Sequence, residues 1–275
     1  MAPAPGVVGI NWRGRPVLIE HQWLGDPRSD GPLIVFLHEG LGSVAMWRDF
    51  PQRLCLAAGC RGLVYSRPGY GRSSPRPADE AWGPDFLHRQ ALEVLPALLT
   101  ALGVDPACAK PWLFGHSDGG SIALLYAAHR PDSLAGAVLL APHIRVEAVS
   151  ISSIQQARRA YLDTDLRARL ARHHDDPDSA FWGWNNIWLH PEFGDWTIEA
   201  EIARITCPLL AMQGVDDEYG TLDQIEGIAR RVPGTELRAF AGCGHSPHRD
   251  QADAVVCETI AFMQTRLTPK TGDTP

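Results

Sequence analysis

Residues 111–129 of the 275-residue chain read Pro-Trp-Leu-Phe-Gly-His-Ser-Asp-Gly-Gly-Ser-Ile-Ala-Leu-Leu-Tyr-Ala-Ala-His. The apolar run before Gly115 predicts a strand buried on both faces, and the apolar positions from Gly120 to His129 predict a helix. Ser117 lies between them, with one glycine two residues before it and another two residues after it. A serine in this position can occupy a sharp turn that projects its Oγ above the sheet, where larger neighbours would clash with the backbone. The alternative is a serine that only caps the helix.

Units of strand and helix recur along the chain. Two further segments, Asp85 to Leu102 and Leu222 to Val232, have apolar residues at helical spacing. This alternation predicts an α/β fold with a parallel sheet covered by helices on both faces. The stretch from Val17 to Trp23 alternates in polarity and predicts an antiparallel hairpin at one edge. The other runs that predict buried strands are Leu33–Leu37, Gly62–Tyr65, Ala137–Leu140 and Pro208–Met212.

The pattern changes over residues 143–204. A polar, arginine-rich helical stretch from Ile154 to His173 precedes an aromatic cluster from Phe181 to Trp188. We therefore expect a core of residues 1–142 and 205–275, and a helical cap, or lid, of residues 143–204. Four tryptophans of this insert either pack the cap against the core or form a hydrophobic ceiling over a substrate pocket. They are Trp182, Trp184, Trp188 and Trp196.

Composition excludes several classes of protein. The chain has 25 Lys plus Arg against 32 Asp plus Glu, a net charge of −7, and 45% hydrophobic residues. This is a globular composition, and its acidic balance argues against a nucleic-acid partner. No apolar run reaches the ~18 to 20 residues of a membrane span, and the first residues do not resemble a secretory signal. The six cysteines have no metal-binding spacing, so we expect free thiols, no bound metal and a cytoplasmic protein, with a frayed tail from Thr268 to Pro275.

A nucleophilic serine needs a base within hydrogen-bond distance. The segment Gly242-Cys-Gly-His245-Ser-Pro-His248 follows a strand-like run from Thr235 to Phe240. His245 lies in a glycine-rich loop that can bring its imidazole over the end of the sheet. Its rival, His248, begins a helical pattern, where we expect it to face solvent or cap the helix. The insert also contains His173 and His174, which we expect to be solvated.

The base in turn needs an acid that orients it. The run from Pro208 to Gly214 predicts a strand that ends in a turn, and Val215-Asp216-Asp217-Glu218 follows it. Both aspartates are candidates. Since adjacent side chains point in different directions, only one of them should reach the imidazole, and the other is expected to be a surface or turn aspartate.

These motifs together resemble the α/β-hydrolase family, from about Pro16 to Thr265. The resemblance implies an α/β-hydrolase fold with a mostly parallel central sheet and a helical cap. In that family the acid sits three residues after the turn glycine, which selects Asp217 and implies a catalytic triad of Ser117, Asp217 and His245. The motifs that carry the resemblance are His38–Ser43, Ser66–Ser73, the turn at Ser117, Gly214–Asp217 and Gly244-His245.

The resemblance also implies an oxyanion hole formed by the backbone N–H groups of Asp118 and Gly40. Each such donor typically lowers the barrier by ~2.7 to 4 kcal/mol. Glu39 replaces the glycine usual in the family, so a shifted neighbour of Gly40 is an alternative donor, and a plain turn is another interpretation of this loop. The Asp118 carboxylate either contacts a positively charged or hydrogen-bond-donating substrate group, or pairs with a structural arginine or backbone amides.

The sequence thus predicts a serine hydrolase, of the carboxylic ester hydrolase type, that cleaves a small ester, thioester or lactone through an acyl-enzyme without metal or organic cofactor. Alternatives on the same scaffold are a carbon–carbon bond hydrolase of ring-cleavage products and a cofactor-free lyase or perhydrolase. A non-catalytic ligand-binding protein and an interaction scaffold built on the aromatic insert are alternatives of another class. We expect a small-molecule substrate, no nucleic-acid or membrane partner, and a monomer or homodimer. The expected substrate-pocket residues are Glu39, His143, Trp182 and Trp188.

Overall fold

A central eight-stranded sheet organises the computed structural model, which describes residues 4–267; the predicted tail from Thr268 to Pro275 lies outside the described residues. Its strands are β1 (Gly6–Trp12), β2 (Arg15–Leu24), β3 (Leu33–Leu37), β4 (Arg61–Tyr65), β5 (Trp112–His116), β6 (Gly136–Leu140), β7 (Leu209–Gly214) and β8 (Glu236–Phe240). The strand order is β1-β2-β4-β3-β5-β6-β7-β8. The first two strands form the predicted edge hairpin, β2 pairs antiparallel with β4, and the remaining pairs are parallel. The predicted, mostly parallel sheet is confirmed.

The strand residues supply both faces of the sheet. In β3, Val35 and Leu37 belong to the hydrophobic cluster on one face, whereas Ile34 and Phe36 belong to the cluster on the other face. All five side chains of β3 are buried. A continuous apolar run is therefore the sequence signature of this strand, because no side of it meets solvent.

Helices cover both faces of the sheet. They are α1 (Phe50–Ala58), α2 (Phe86–Arg89), α3 (Leu95–Ala101), α4 (Asp118–His129), α5 (Ala148–Asp163), α6 (Leu166–Leu170), α7 (Pro177–Trp188), α8 (Glu199–Ile202), α9 (Asp223–Arg231), α10 (Pro247–Asp250) and α11 (Ala252–Leu267). Residues of α1 and α11 pack together in the cluster on one face, and α4 and α9 contribute to the cluster on the other. A π-helical turn over Gln90–Val94 connects α2 to α3 within the predicted helix 85–102. No helix within residues 4–267 has the length and apolarity needed to cross a membrane.

The segment between β6 and β7 contains α5 to α8 and packs on the core. Phe193 of this segment contacts Phe86 of α2 with ring centroids 5.5 Å apart. The predicted helix from Ile154 to His173 is instead divided, because α5 ends at Asp163 and α6 begins at Leu166.

His174 in this segment corrects a prediction from sequence. It is only 3% exposed rather than solvated. Its Nδ1 accepts a hydrogen bond of 2.9 Å from the Gly71 N–H, and its Nε2 lies 3.0 Å from the Leu41 carbonyl oxygen. The imidazole is therefore buried because it connects two core loops to the insert, whereas its neighbour His173 is exposed as predicted.

Candidate active site

The turn at Ser117 has a strained backbone. Its φ is 53° and its ψ is −119°, a conformation that residues other than glycine rarely adopt. The Ser117 N–H donates a hydrogen bond of 2.8 Å to the Leu140 carbonyl, which ties the turn to the end of β6. A Cβ on Gly119 would lie 2.0 Å from the Leu37 carbonyl oxygen, and a Cβ on Gly115 would lie 2.3 Å from the Gly119 oxygen. Both glycines are therefore required by close approach of backbone segments.

Ser117, His245 and Asp217 form one hydrogen-bonded chain. His245 Nε2 lies 2.9 Å from Ser117 Oγ, and His245 Nδ1 lies 2.8 Å from Asp217 Oδ1. The three residues follow the carboxyl ends of β5, β8 and β7, which meet at one edge of the sheet. The Asp217 side chain is 1% exposed, whereas Asp216 is exposed to solvent. This arrangement allows an imidazole to accept the serine proton while a carboxylate orients the ring.

Asp217 is held ionised by its surroundings. Its Oδ1 also accepts hydrogen bonds from the backbone N–H groups of Tyr219 (2.8 Å) and Gly220 (3.2 Å), and its Oδ2 accepts one of 3.1 Å from the Gln213 amide. Burial alone would raise the pKa of Asp217, but the contact with His245 and the Tyr219 N–H outweigh burial and lower this pKa. A charged carboxylate at this position can stabilise an imidazolium.

His248 does not occupy the position expected from sequence. The prediction that it faces solvent or caps a helix is wrong, because it is 3% exposed and its ring packs 5.0 Å from Trp47 and 5.5 Å from Phe50 between centroids. Neither ring nitrogen has a hydrogen-bond partner within residues 4–267. The short helix α10 turns this residue inward against aromatic side chains, and the hydrogen bond to Ser117 belongs to His245.

The backbone N–H groups of the two residues predicted to form the oxyanion hole, Gly40 and Asp118, have no backbone acceptor in residues 4–267. Asp118 is the first residue of α4, where the N–H has no acceptor inside the helix. Gly40 follows β3, and a Cβ at this position would lie 2.2 Å from the indole Nε1 of Trp184. The glycine is thus required because Trp184 of α7 packs directly on this loop.

We expect Gly40→Ala to lower kcat, because the added methyl would displace the loop or Trp184. The expected loss is about tenfold or more, on the scale of a misplaced oxyanion donor. Steady-state kinetics measure it. The double variant Gly40→Ala/Trp184→Ala removes the indole atoms that the methyl would meet. Its loss of kcat should therefore be smaller than the product of the losses in the two single variants. Simple additivity of the two losses would contradict this steric explanation.

The carboxylate of Asp118 is paired inside the protein. Its Oδ1 accepts a hydrogen bond of 3.2 Å from Trp188 Nε1, and its Oδ2 lies 3.5 Å from Arg67 Nη2. Burial raises the pKa of Asp118, and the Arg67 guanidinium opposes that shift. Of the two alternatives from sequence, the geometry therefore corresponds to pairing with a structural arginine.

Glu39 also meets positive charge. Its Oε1 accepts a hydrogen bond of 3.1 Å from Arg249 Nη2, and its Oε2 lies 3.6 Å from His116 Nδ1. Burial alone would raise the pKa of Glu39, but the contacts with His116 and Arg249 outweigh burial and hold this pKa well below its usual range. Asp118 and Glu39 each have an arginine close by, which offsets part of their negative charge.

The other residues predicted for the pocket separate into two groups. The His143 ring lies 5.8 Å from His245 and 5.0 Å from Trp188 between centroids, so His143 and Trp188 are next to the triad. Burial lowers the pKa of His143 to about 3, which keeps this imidazole neutral. Trp182 instead contacts residues of its own segment, and no contact with Ser117, Asp217 or His245 is found for it in residues 4–267. Its partners are Arg158, Tyr161 and Phe181.

Two residues at the site were not among the predicted pocket residues. Trp184 contacts the Gly40 loop, and the Tyr219 ring lies 4.8 Å from His245 between centroids. Trp184 and Trp188 are four residues apart on α7, a spacing that places two side chains on one helix face. Helical periodicity therefore indicated that Trp184, rather than Trp182, lies on the same face of α7 as Trp188. Among residues 4–267, no group of three His, Cys, Asp or Glu side chains is arranged to hold a metal ion.

Buried histidines predict how stability depends on pH. For His143 and three others, burial lowers the pKa below 6.5, so the unfolded chain takes up protons near pH 6.5 that the folded chain does not. Above pH 6.5 these histidines do not reduce the free energy of unfolding. As the pH falls below 6.5, each of them lowers this free energy by at most about 1.4 kcal/mol per pH unit. The other three are His38, His174 and His248.

Urea unfolding between pH 7 and pH 5.5 measures this dependence. The variant His248→Phe removes one of the titrating groups, so its free energy of unfolding should fall less steeply with decreasing pH. A wild-type stability that is flat over this interval, or equal slopes in the two proteins, would contradict the prediction.

The chain belongs to the α/β-hydrolase family, because the model of the Alpha/beta hydrolase family matches residues 34–259. This match includes the turn at Ser117, the acid turn and the His245 loop. The family and the parallel sheet predicted from sequence are thereby confirmed, and the protein is a hydrolase.

Individual relatives are similar over most of the chain. A 2-hydroxy-6-oxo-6-phenylhexa-2,4-dienoate hydrolase of Comamonas testosteroni is 23% identical over 86% of this chain and 89% of its own length. A pimeloyl-[acyl-carrier protein] methyl ester esterase of Vibrio atlanticus is 22% identical over 85% of this chain and 95% of its own length. The crystal structure of the enol-lactonase from Burkholderia xenovorans LB400 aligns with a TM-score of 0.71 and 21% identity, over 93% of this chain and 99% of that chain.

Proposed function

We propose that this hydrolase cleaves small esters, thioesters or lactones through an acyl-enzyme on Ser117. The observation that carries the proposal is the chain from Ser117 Oγ through His245 to Asp217, with contacts of 2.9 and 2.8 Å. The strained turn at Ser117 supports it, as do the N–H groups of Gly40 and Asp118, which have no backbone acceptor in the part of the chain that the structure describes. Ester and lactone bonds are also named for two of the similar proteins, the methyl ester esterase and the enol-lactonase.

In the proposed mechanism, Ser117 Oγ attacks the substrate carbonyl carbon as its proton moves to His245 Nε2. The negative charge that develops on the carbonyl oxygen is bound by the N–H groups of Gly40 and Asp118. The tetrahedral intermediate then collapses, and the leaving alkoxide or thiolate takes the proton from His245. A water molecule deprotonated by His245 attacks the acyl-enzyme, releases the acid and regenerates Ser117. Asp217 stabilises the imidazolium in both halves of the reaction.

We further propose that residues 143–204 act as a cap over this site. Trp184 and Trp188 of α7 support this role, since one packs on the Gly40 loop and the other donates a hydrogen bond to Asp118. His143 and Trp188 would form a wall of the substrate pocket next to His245. A neutral imidazole and an indole suit an uncharged acyl or leaving group better than a charged one.

The second candidate is hydrolysis of a carbon–carbon bond, which the named activity of the Comamonas relative favours. A dienoate substrate carries a carboxylate that needs a cationic partner. Each of the two arginines near the site already has a carboxylate close to it: the fully buried Arg67 lies 3.5 Å from Asp118, and Arg249 is bonded to Glu39 at 3.1 Å. The geometry therefore favours the neutral ester, thioester or lactone.

A substrate panel and a covalent probe test the proposed function. We expect stoichiometric labelling of Ser117 by a fluorophosphonate, with no labelling of Ser117→Ala. In the panel, p-nitrophenyl esters of increasing chain length, acyl thioesters or lactones should be hydrolysed faster than a ring-cleavage dienoate. Faster cleavage of the dienoate would favour the carbon–carbon hydrolase, and a folded protein that resists labelling would favour a non-catalytic binding protein.

A further inference from the structure

Arg67 is a fully buried charge next to the proposed active site. It follows β4 in the Ser66–Ser73 motif, and its side chain is 1% exposed. Burying a guanidinium is costly unless it is paired and hydrogen-bonded. The proposed mechanism assigns no role to this residue, so its contacts need a separate explanation.

The strongest contact of Arg67 is with the carbonyl oxygen of Glu39. Arg67 Nη2 donates to this oxygen at 2.8 Å, and His38 Nδ1 and the Gly42 N–H donate to it at 2.7 and 3.1 Å. This carbonyl belongs to the same peptide unit as the Gly40 N–H. Because the C=O and N–H of a trans peptide point in opposite directions, three donors on the oxygen fix the direction of the Gly40 N–H.

Arg67 also contacts the residue that carries the second N–H of the proposed oxyanion hole. The same Nη2 lies 3.5 Å from Asp118 Oδ2, and Trp188 Nε1 donates to the other carboxylate oxygen at 3.2 Å. One guanidinium nitrogen thus connects the Gly40 loop to the start of α4. A shift of this nitrogen would move the two donors relative to each other.

If Arg67 served only to neutralise Asp118, its contacts would be different. An arginine that neutralises a carboxylate prefers a bidentate pair with short contacts. Here Arg67 Nε and Nη1 have no hydrogen-bond partner within residues 4–267, and the guanidinium lies over the Tyr70 ring, 4.7 Å from its centroid. The contact with the Glu39 carbonyl is 0.7 Å shorter than the contact with Asp118, which is the difference between 3.5 and 2.8 Å.

We propose that Arg67 is a positioning residue that aligns both N–H donors of the oxyanion hole. This inference rests on the proposed function. It predicts that loss of Arg67 weakens binding of the tetrahedral oxyanion more than binding of the ground-state ester, because the donors face the charge only once it has developed.

The test compares Arg67→Met with the double variant Arg67→Met/Asp118→Asn, and the reference for the double variant is Asp118→Asn. Arg67→Met alone leaves the Asp118 charge buried without its partner, which can prevent folding. The double variant removes both charges, so the role of Arg67 can still be measured in it. Arg61→Met is the matched control, since Arg61 also binds backbone carbonyls, of Gly31 and Pro27, but at the start of β4. The readouts are kcat, KM and the inhibition constant of a trifluoromethyl ketone, which forms a tetrahedral oxyanion on the serine.

We expect Arg67→Met to lower kcat by about 10²-fold with little change in KM, and to weaken the trifluoromethyl ketone by a similar factor. Adding Arg67→Met to Asp118→Asn should cause a loss of similar size, and Arg61→Met should behave as wild type. If the double variant instead equals Asp118→Asn, Arg67 is only a counter-ion and the inference is overturned. A failure of the proposed function would appear separately, as absence of fluorophosphonate labelling of wild-type Ser117.

Discussion

Replacement of Ser117 by alanine is expected to lower kcat by about 10⁵- to 10⁶-fold, because the variant has no nucleophile for the acyl-enzyme. His245→Ala should cause a loss of similar size, since the hydroxyl would then have no base within hydrogen-bond distance. The double variant should be no worse than either single one, because residues that act as one unit are not additive. Single-turnover and steady-state kinetics with the best ester of the panel measure these effects.

His248→Phe is the matched control for His245→Ala. His248 is buried among aromatic side chains, and neither of its ring nitrogens has a hydrogen-bond partner in the described residues, so a phenyl ring fits this environment. We expect this variant to hydrolyse the same ester at a rate close to that of wild type and to be at least as stable. If His248→Phe were inactive while His245→Ala retained turnover, the assignment of the base would be wrong.

The second large effect is expected for Asp217→Asn. The amide preserves the shape of the side chain but carries no negative charge to stabilise the imidazolium, and its NH₂ group can donate to Nδ1, which favours the wrong imidazole tautomer. The expected loss in kcat is about 10⁴-fold at neutral pH. The depressed pKa of Asp217 means that this contribution is already complete well below neutral pH in the wild type.

Asp216→Asn is the control for this prediction. Asp216 is the neighbouring residue, its side chain is exposed, and its substitution should leave kcat within a few-fold of wild type. If Asp216→Asn lowered kcat more than Asp217→Asn, the acid that orients His245 would not be Asp217. Circular dichroism and thermal unfolding of both variants separate a loss of catalysis from a loss of folding.

Much of the fold was predictable from short segments. The apolar runs at Leu33–Leu37 and Ala137–Leu140 lie within strands of the sheet, and the helix predicted from Gly120 to His129 lies within α4. Such patterns are local, because the periodicity of burial within one element repeats every two or about 3.6 residues. Where an element was misjudged, as for Ile154 to His173, the error concerned its boundaries rather than its existence.

The surroundings of the site were predicted less well. Trp182 was chosen for the pocket, whereas Trp184 contacts the Gly40 loop. His174 was expected in solvent, and His248 in solvent or at a helix cap. Both are buried: His174 bonds the loops at Leu41 and Gly71, and His248 packs on Trp47. In each case the deciding contact joins segments that are far apart in the chain, and no local pattern describes it.

The same distinction applies to the proposed catalytic residues. The glycines around Ser117 and the glycine-rich loop of His245 were recognisable locally, because backbone strain and close approach restrict which residues can occupy such turns. That Asp217 rather than Asp216 reaches the imidazole, and that one Arg67 nitrogen joins two loops, depends on how the sheet edge assembles. Ser117 and His245 are 128 residues apart, and only packing of the whole sheet brings their side chains to 2.9 Å.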